Sequence, residues 1–139
     1  ASPVIRFNQG DNSFARWSFT VPDDWVPGTD MDIEFYWSPS DNTTGAVDFD
    51  LNYAFFATGE TISISSFADA MGGGVYETVN ANTELNIYGT TATIPASAIS
   101  NDDMVNLVLA RTPGDVGDTY SGDINIHMLR IRYRGKKLQ

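Results

Sequence analysis

Met31-Asp32-Ile33-Glu34-Phe35-Tyr36-Trp37 puts Met31, Ile33, Phe35 and Trp37 on one side of an extended chain and Asp32, Glu34 and Tyr36 on the other. Successive Cβ atoms of extended backbone point to opposite faces, so this period of two marks a strand with one face in a core. The same beat runs through Val47, Phe49, Leu51, Tyr53 and Phe55, with Asp48, Asp50 and Asn52 facing away. Working outward, residues 14–21 and 83–94 predict further strands. Met104-Val105-Asn106-Leu107-Val108-Leu109-Ala110 is apolar almost throughout, as suits a central strand covered on both faces. The last strand, 123–133, changes phase. Ile124, Ile126 and Met128 share one face, while Leu129, Ile131 and Tyr133 take the other. A one-residue slip swaps faces, which predicts a β-bulge near Met128 and Leu129, or else a second face covered by another subunit.

Turn signals separate these runs. Pro27-Gly28 and Pro113-Gly114 offer Pro at i+1 and Gly at i+2, the demand of a type II turn. Asp41-Asn42-Thr43-Thr44-Gly45 reads as a hairpin-type loop between two strong strands. Residues 65–71 form the one short helical patch, with Ser66 as its cap, followed by three glycines at 72–74. Pro95 ends the strand before it. Short strands with turn signals every 8–15 residues specify an all-β fold. The expectation is an antiparallel β-sandwich of jelly-roll type, with about eight strands and one short helix, in a single domain over residues 1–139. An immunoglobulin-type sandwich is the weaker option, since the Cys-Trp-Cys arrangement is absent.

The 139 residues carry a formal net charge of −10 and no cysteine. Thiolate catalysis, thiolate zinc sites and disulfides are excluded, and the acidity disfavours nucleic acid, which demands a cationic footprint. No apolar run is long enough for a membrane-spanning helix, so no membrane insertion is expected. The charge is unevenly placed. All eighteen acidic residues lie at or before Asp123, whereas Arg130, Arg132, Arg134, Lys136 and Lys137 fall within the last ten positions. Residues 134–139 read as a basic tail, either solvated and frayed or an electrostatic docking strip for an acidic partner surface, such as a neighbouring copy of the chain.

Catalytic chemistry is sparse. His127 is the only histidine, so a Ser-His-Asp triad would have to use it. A packed or interfacial role suits its mid-strand place better. Asp48 with Asp50, or Asp32 with Glu34, supplies paired carboxylates of the kind glycoside hydrolysis uses, yet the same spacing occurs on any solvated strand face of an acidic protein. Asp115, Asp118 and Asp123 crowd one loop and form a weak calcium candidate, since hard cations take several oxygen ligands. No other cofactor is expected, and the chain reads as a non-enzyme. Trp17, Trp25, Trp37, Tyr36, Phe56, Tyr76, Tyr88 and Tyr120 are the pool from which a sugar-stacking face would be drawn, with Trp37 assigned to the core by its phase. Tyr36 and Phe56 point away from their strands' apolar sets and are candidates for an intersubunit or ligand-facing surface.

Trp17-Ser18-Phe19-Thr20-Val21-Pro22-Asp23-Asp24-Trp25, continued by Gly28-Thr29-Asp30-Met31 through Trp37, resembles a β-domain that recurs in virion proteins of tailed phages. The later block from Leu109-Ala110-Arg111 through Asp118-Thr119-Tyr120-Ser121-Gly122-Asp123 to Tyr133 carries the other half of the likeness, while residues 45–95 match only in general character. The resemblance implies a jelly roll assembled as a homotrimer on the virion surface, as a capsid decoration or stabilising protein or a fibre head, partnered by a capsid or tail protein of the same particle. It carries no catalytic residues. Fibre domains commonly continue from a long stalk, and none precedes the sequence here, which favours a free-standing decoration protein or an excised domain. The alternative is a carbohydrate-binding module that recognises a cell-surface glycan, as at a tail-fibre tip.

Overall fold

Four antiparallel pairings, nested one inside the next, lay out the chain. A computed structural model describes residues 5–8, 10, 13–59, 69–70, 75–79, 86–100, 103–111 and 116–137. Among them the strands are β1 (Ile5–Phe7), β2 (Ser13–Thr20), β3 (Met31–Pro39), β4 (Gly45–Phe56), β5 (Asp69–Ala70), β6 (Val75–Val79), β7 (Tyr88–Ile94), β8 (Met104–Arg111) and β9 (Ile124–Tyr133). β1 pairs with β9, β2 with β8, β3 with β7 and β4 with β6, all antiparallel. The nested hairpin then rolls up. β9 docks on β3 and β8 on β4, giving a sheet ordered β1-β9-β3-β7 and a second ordered β2-β8-β4 with β5 and β6 at its edge. Connections pass back and forth between the two layers, which makes the domain a jelly roll.

The core is the set of inward residues the alternation selected. Met31, Ile33, Phe35 and Trp37 of β3 face Val47, Phe49, Leu51 and Tyr53 of β4, with Val105, Leu107 and Leu109 of β8 beside them, all buried. Phe49 meets Phe35 and Trp37 edge-on at 4.9 and 5.2 Å between ring centroids, so aromatic contact ties the two layers. Trp37 also stacks on Tyr88 at 4.9 Å and donates its indole N–H to Thr90 Oγ1 at 3.0 Å. Burial without that partner would leave a polar N–H stranded.

The phase change in β9 is a bulge. Tyr36 opposes Met128 and Trp37 opposes Ile126, which leaves His127 as the extra residue. Ile124 and Ile126 face inward before it, and Leu129 and Ile131 pack against the core after it. The Pro27-Gly28 turn also forms as the sequence demands, with Gly28 at φ 85° and Thr29 N–H bonded to Val26 O. Its counterpart at 113–114 lies outside the described residues.

Other expectations are corrected. Asp41 to Gly45 do not close a hairpin, since β3 and β4 belong to different sheets and the loop crosses between them. Within the proposed helical patch, Asp69 and Ala70 are extended and pair with Tyr53 and Asn52. The rest of 65–71 lies outside the described residues. A 3-10 turn forms instead at Ala96–Ala98, directly after Pro95. The strand expected over 83–94 begins only at Tyr88, with 83–85 outside the described residues. β8 is central as read, but only its inner face is buried. Met104 is exposed, and Asn106, Val108 and Ala110 are half-exposed on the outer face. Nor is the tail backbone frayed over 134–136. Gly135 bridges Trp25, Val26 N–H bonds Arg134 O at 2.9 Å, and Lys136 N–H bonds Asp24 O at 2.7 Å.

Candidate functional site

Arg111 ends β8 with no exposed surface, and its surroundings explain how a charge is kept there. Its Nε and Nη2 donate to the two oxygens of Asp118 at 2.9 Å each, Nη2 also reaches Tyr120 O, and Nη1 donates to Gly122 O at 2.6 Å. The bidentate geometry matches the planar fork of guanidinium to carboxylate. Asp118 Oδ2 accepts the Asp48 backbone N–H as well, at 3.1 Å, which pins the 116–123 loop to β4. Tyr120 extends this lock. Its hydroxyl donates to Asp41 Oδ1 at 2.9 Å and accepts the N–H groups of Ser40 and Asp41 at 3.2 Å. Burial, with the neighbouring Asp41 carboxylate, holds the Tyr120 hydroxyl above the usual tyrosine range. The Thr43 N–H and the Tyr120 hydroxyl hold the Asp41 carboxyl below its ordinary value.

The lock positions Ser40, and Ser40 forms one wall of an open pocket of about 330 Å³ on the outer face of the first sheet. Arg6 of β1, Asn125 and His127 of β9 and Ser38 at the end of β3 supply its polar lining, while Pro39 and Ile87 supply apolar surface. The bulge creates this site. It turns His127 outward, where its Nε2 and the Ser38 hydroxyl share a hydrogen bond of 2.7 Å. Arg6 Nε donates to Asn125 Oδ1 at 3.4 Å. Along the same face, Tyr36 lies flat enough against Gly89 that a Cβ there would stand 3.4 Å from its ring. The Arg130 guanidinium sits 5.9 Å from that ring. Arg130 and Arg132 both donate to Glu34, at 3.1 and 3.4 Å.

The fold therefore gathers Tyr36, His127, Arg130 and Arg132 from the candidate docking residues onto one face. Arg134, Lys136 and Lys137 follow beyond the end of β9, beside the Trp25 turn. Phe56 does not join them. It lies half-buried on the outer face of the other sheet, opposite Met104. Of the aromatic pool, Trp25, Trp37 and Tyr120 are buried, Trp17, Tyr36, Phe56 and Tyr88 are half-buried, and the Tyr76 side chain lies outside the described residues. Asp118 of the calcium candidate is engaged by Arg111, and Asp115 lies outside the described residues. Among the described residues no three acidic or histidine side chains gather as a ligand set. Of the carboxylate pairs, Glu34 serves the two arginines, Asp32 accepts Thr93 Oγ1 at 2.8 Å, Asp48 is buried and Asp50 half-buried. The pair Ser38–His127 is two-thirds of a triad, but among the described residues the pocket lining includes no carboxylate to orient the ring. Sequence reading missed Arg6, Ser38 and Asn125. They meet only because β1 and β3 flank β9.

No family model matches the sequence, and no curated protein matches it. Among solved structures the chain is similar to a family 16 carbohydrate-binding module, at 11% identity and a TM-score of 0.43, covering 93% of this chain and 75% of that one. It is similar also to the module TmCBM61 in complex with beta-1,4-galactotriose, at 12% identity and 0.42, covering 94% and 70%. A third likeness is to infectious bursal disease virus, Gt strain, at 14% identity and 0.31, covering 93% of this chain and 32% of that one. At these identities and scores the likenesses carry no argument about function.

Proposed function

We propose that the chain is a non-catalytic jelly-roll module on the surface of a phage particle, a trimeric capsid decoration or stabilising protein or the head of a fibre. The observation that carries this reading is the Arg111 lock. Arg111, Asp118 and Tyr120, with the buried Trp25, lie in the two stretches that resemble virion proteins, and each of them holds the fold shut. A likeness concentrated on such residues points to a shared architecture rather than a shared reaction. The cations collected at one side of an acidic molecule suit docking against an acidic capsid or a neighbouring copy. Light scattering at neutral pH tests the assembly, with a mass three times the 15.2 kDa chain expected. A monomer at concentrations on the order of tens of micromolar, the range of a weak complex, would overturn the trimer. A second reading, a receptor-recognition module for a cell-surface glycan, is favoured by the pocket at the bulge, where hydroxyl, amide, imidazole and guanidinium groups converge beside an apolar wall.

A further inference from the structure

We infer that the pocket at the β9 bulge takes a negatively charged saccharide unit, one carrying a carboxylate on its ring, with Arg6 and His127 receiving the anion. The inference rests on the glycan reading and narrows it to a class. Eighteen of the 139 residues are acidic, yet among the described residues none that lines this pocket is. The lining offers instead one guanidinium, one imidazole, two hydroxyls and one amide, a set dominated by N–H and O–H donors.

Beyond the pocket the face is balanced in charge. Arg130 and Arg132 share the Glu34 carboxylate, and Asp32 stands opposite Arg132 on the same face. In a molecule of net charge −10, a pocket whose described lining holds a guanidinium and no carboxylate is where an anion is best received. Arg6 is exposed, and its Nε contact to Asn125 uses one edge of the fork. Guanidinium presents five donors, and two of them in parallel match a carboxylate.

Size and shape select the rest of the ligand. About 330 Å³ lies at the small end of ligand sites, which run from about 300 to 1,000 Å³, so one sugar unit fills it. Ile87 is 60% exposed at the rim, a large apolar side chain placed to cover the C–H face of a ring. The pocket is open to solvent, leaving room for a polymer to continue beyond it.

His127 is the only histidine, so its ring protons report this site alone in an NMR spectrum. Titration of the whole chain with galacturonate is expected to shift them saturably, with galactose at least about tenfold weaker and inorganic phosphate producing no comparable effect. Arg6→Ala should weaken galacturonate about tenfold or more, the worth of one charge-assisted hydrogen bond. Arg6→Lys should recover part of that loss. An equal response to galactose and galacturonate would overturn the charged class while leaving a glycan site. An equal response to phosphate would make the pocket a general anion site and overturn the saccharide. Silence with both sugars would overturn the inference and the glycan reading together, leaving the virion reading to the mass measurement.

Discussion

Taking a guanidinium out of water costs several kcal/mol unless its donors find partners, and at Arg111 four hydrogen bonds supply them. Removing one member of such a pair is therefore worse than removing both. Arg111→Met should cost about 3–5 kcal/mol in urea unfolding, because it leaves the buried Asp118 carboxylate uncompensated. The double variant Arg111→Met, Asp118→Leu should recover a good part of that loss, and a strictly additive cycle would show that the two do not act as a unit. Tyr120 ties the same region to pH. Its folded pKa is raised above the ordinary 10.0 by burial and then by Asp41. Its contribution is thus complete below about pH 10 and lost as pH climbs through the folded value. Asp41 runs the other way. Its pKa lies below 3.8, so its contribution holds above that value and disappears on acidification. Melting temperature followed from about pH 7 to about pH 11 should fall at the alkaline end, and less steeply in Tyr120→Phe. Tyr133, whose hydroxyl is also held up by a hydrogen bond to Asp24, contributes to the same slope, so Tyr133→Phe is the comparison. An unchanged slope in Tyr120→Phe would assign the alkaline loss elsewhere.

β9 shows how a single inserted residue serves both packing and surface. Deleting His127 leaves Ile124, Ile126, Leu129 and Ile131 inward and Asn125, Met128 and Arg130 outward, a regular alternation against β3. That deletion should fold, at a cost of about 1 kcal/mol for the lost Ser38 hydrogen bond, and should lose the pocket. Deleting Ile126 restores the same register but sets His127 against Trp37 in the core. The lost apolar burial and a stranded imidazole should together cost about 3–5 kcal/mol. Comparable melting curves for the two deletions would mean that the bulge does not separate two fixed registers. The bulge was legible in the sequence because phase is local information: six apolar residues in one strand report which side is covered. Trp37 was legible for the same reason. The loop at Asp41 to Gly45 was misread because turn residues specify a reversal and are silent about whether the next strand pairs or crosses to the other sheet. Asp69 and Ala70 were misread because helix propensity is a weak prior that pairing with β4 overrides. Arg111 and Asp118, seven residues apart across a loop, carried no periodic signal. Arg6, Ser38 and Asn125 came together only through strand order, which alternation along one strand does not encode.

For the molecule as a whole, the useful distinction is between the backbone of the C-terminal tail and its charges. Residues 134–136 bond through main-chain groups to Asp24, Trp25 and Val26, so cutting the tail away would unsettle the turn that seats a buried tryptophan. A truncation that lowered the solution mass would then confuse assembly with local stability. Neutralising the side chains keeps the backbone in place, since Arg134, Lys136 and Lys137 are exposed. The triple variant Arg134→Gln, Lys136→Gln, Lys137→Gln should leave unfolding within about 0.5 kcal/mol of the unaltered chain, as surface changes usually do. If these cations hold neighbouring acidic copies together, the variant should shift from trimer toward monomer, and raising the salt should do the same to the unaltered chain. Screening at about 8 Å in physiological salt, and about 3 Å at molar salt, weakens exposed charge pairs but leaves apolar contacts in force. A trimer indifferent to both changes would instead rest on the outer face of the second sheet, where the half-buried Phe56 stands opposite the exposed Met104. Phe56→Ser with Met104→Ser would then dissociate it, and the basic strip would be left for a partner other than the chain itself.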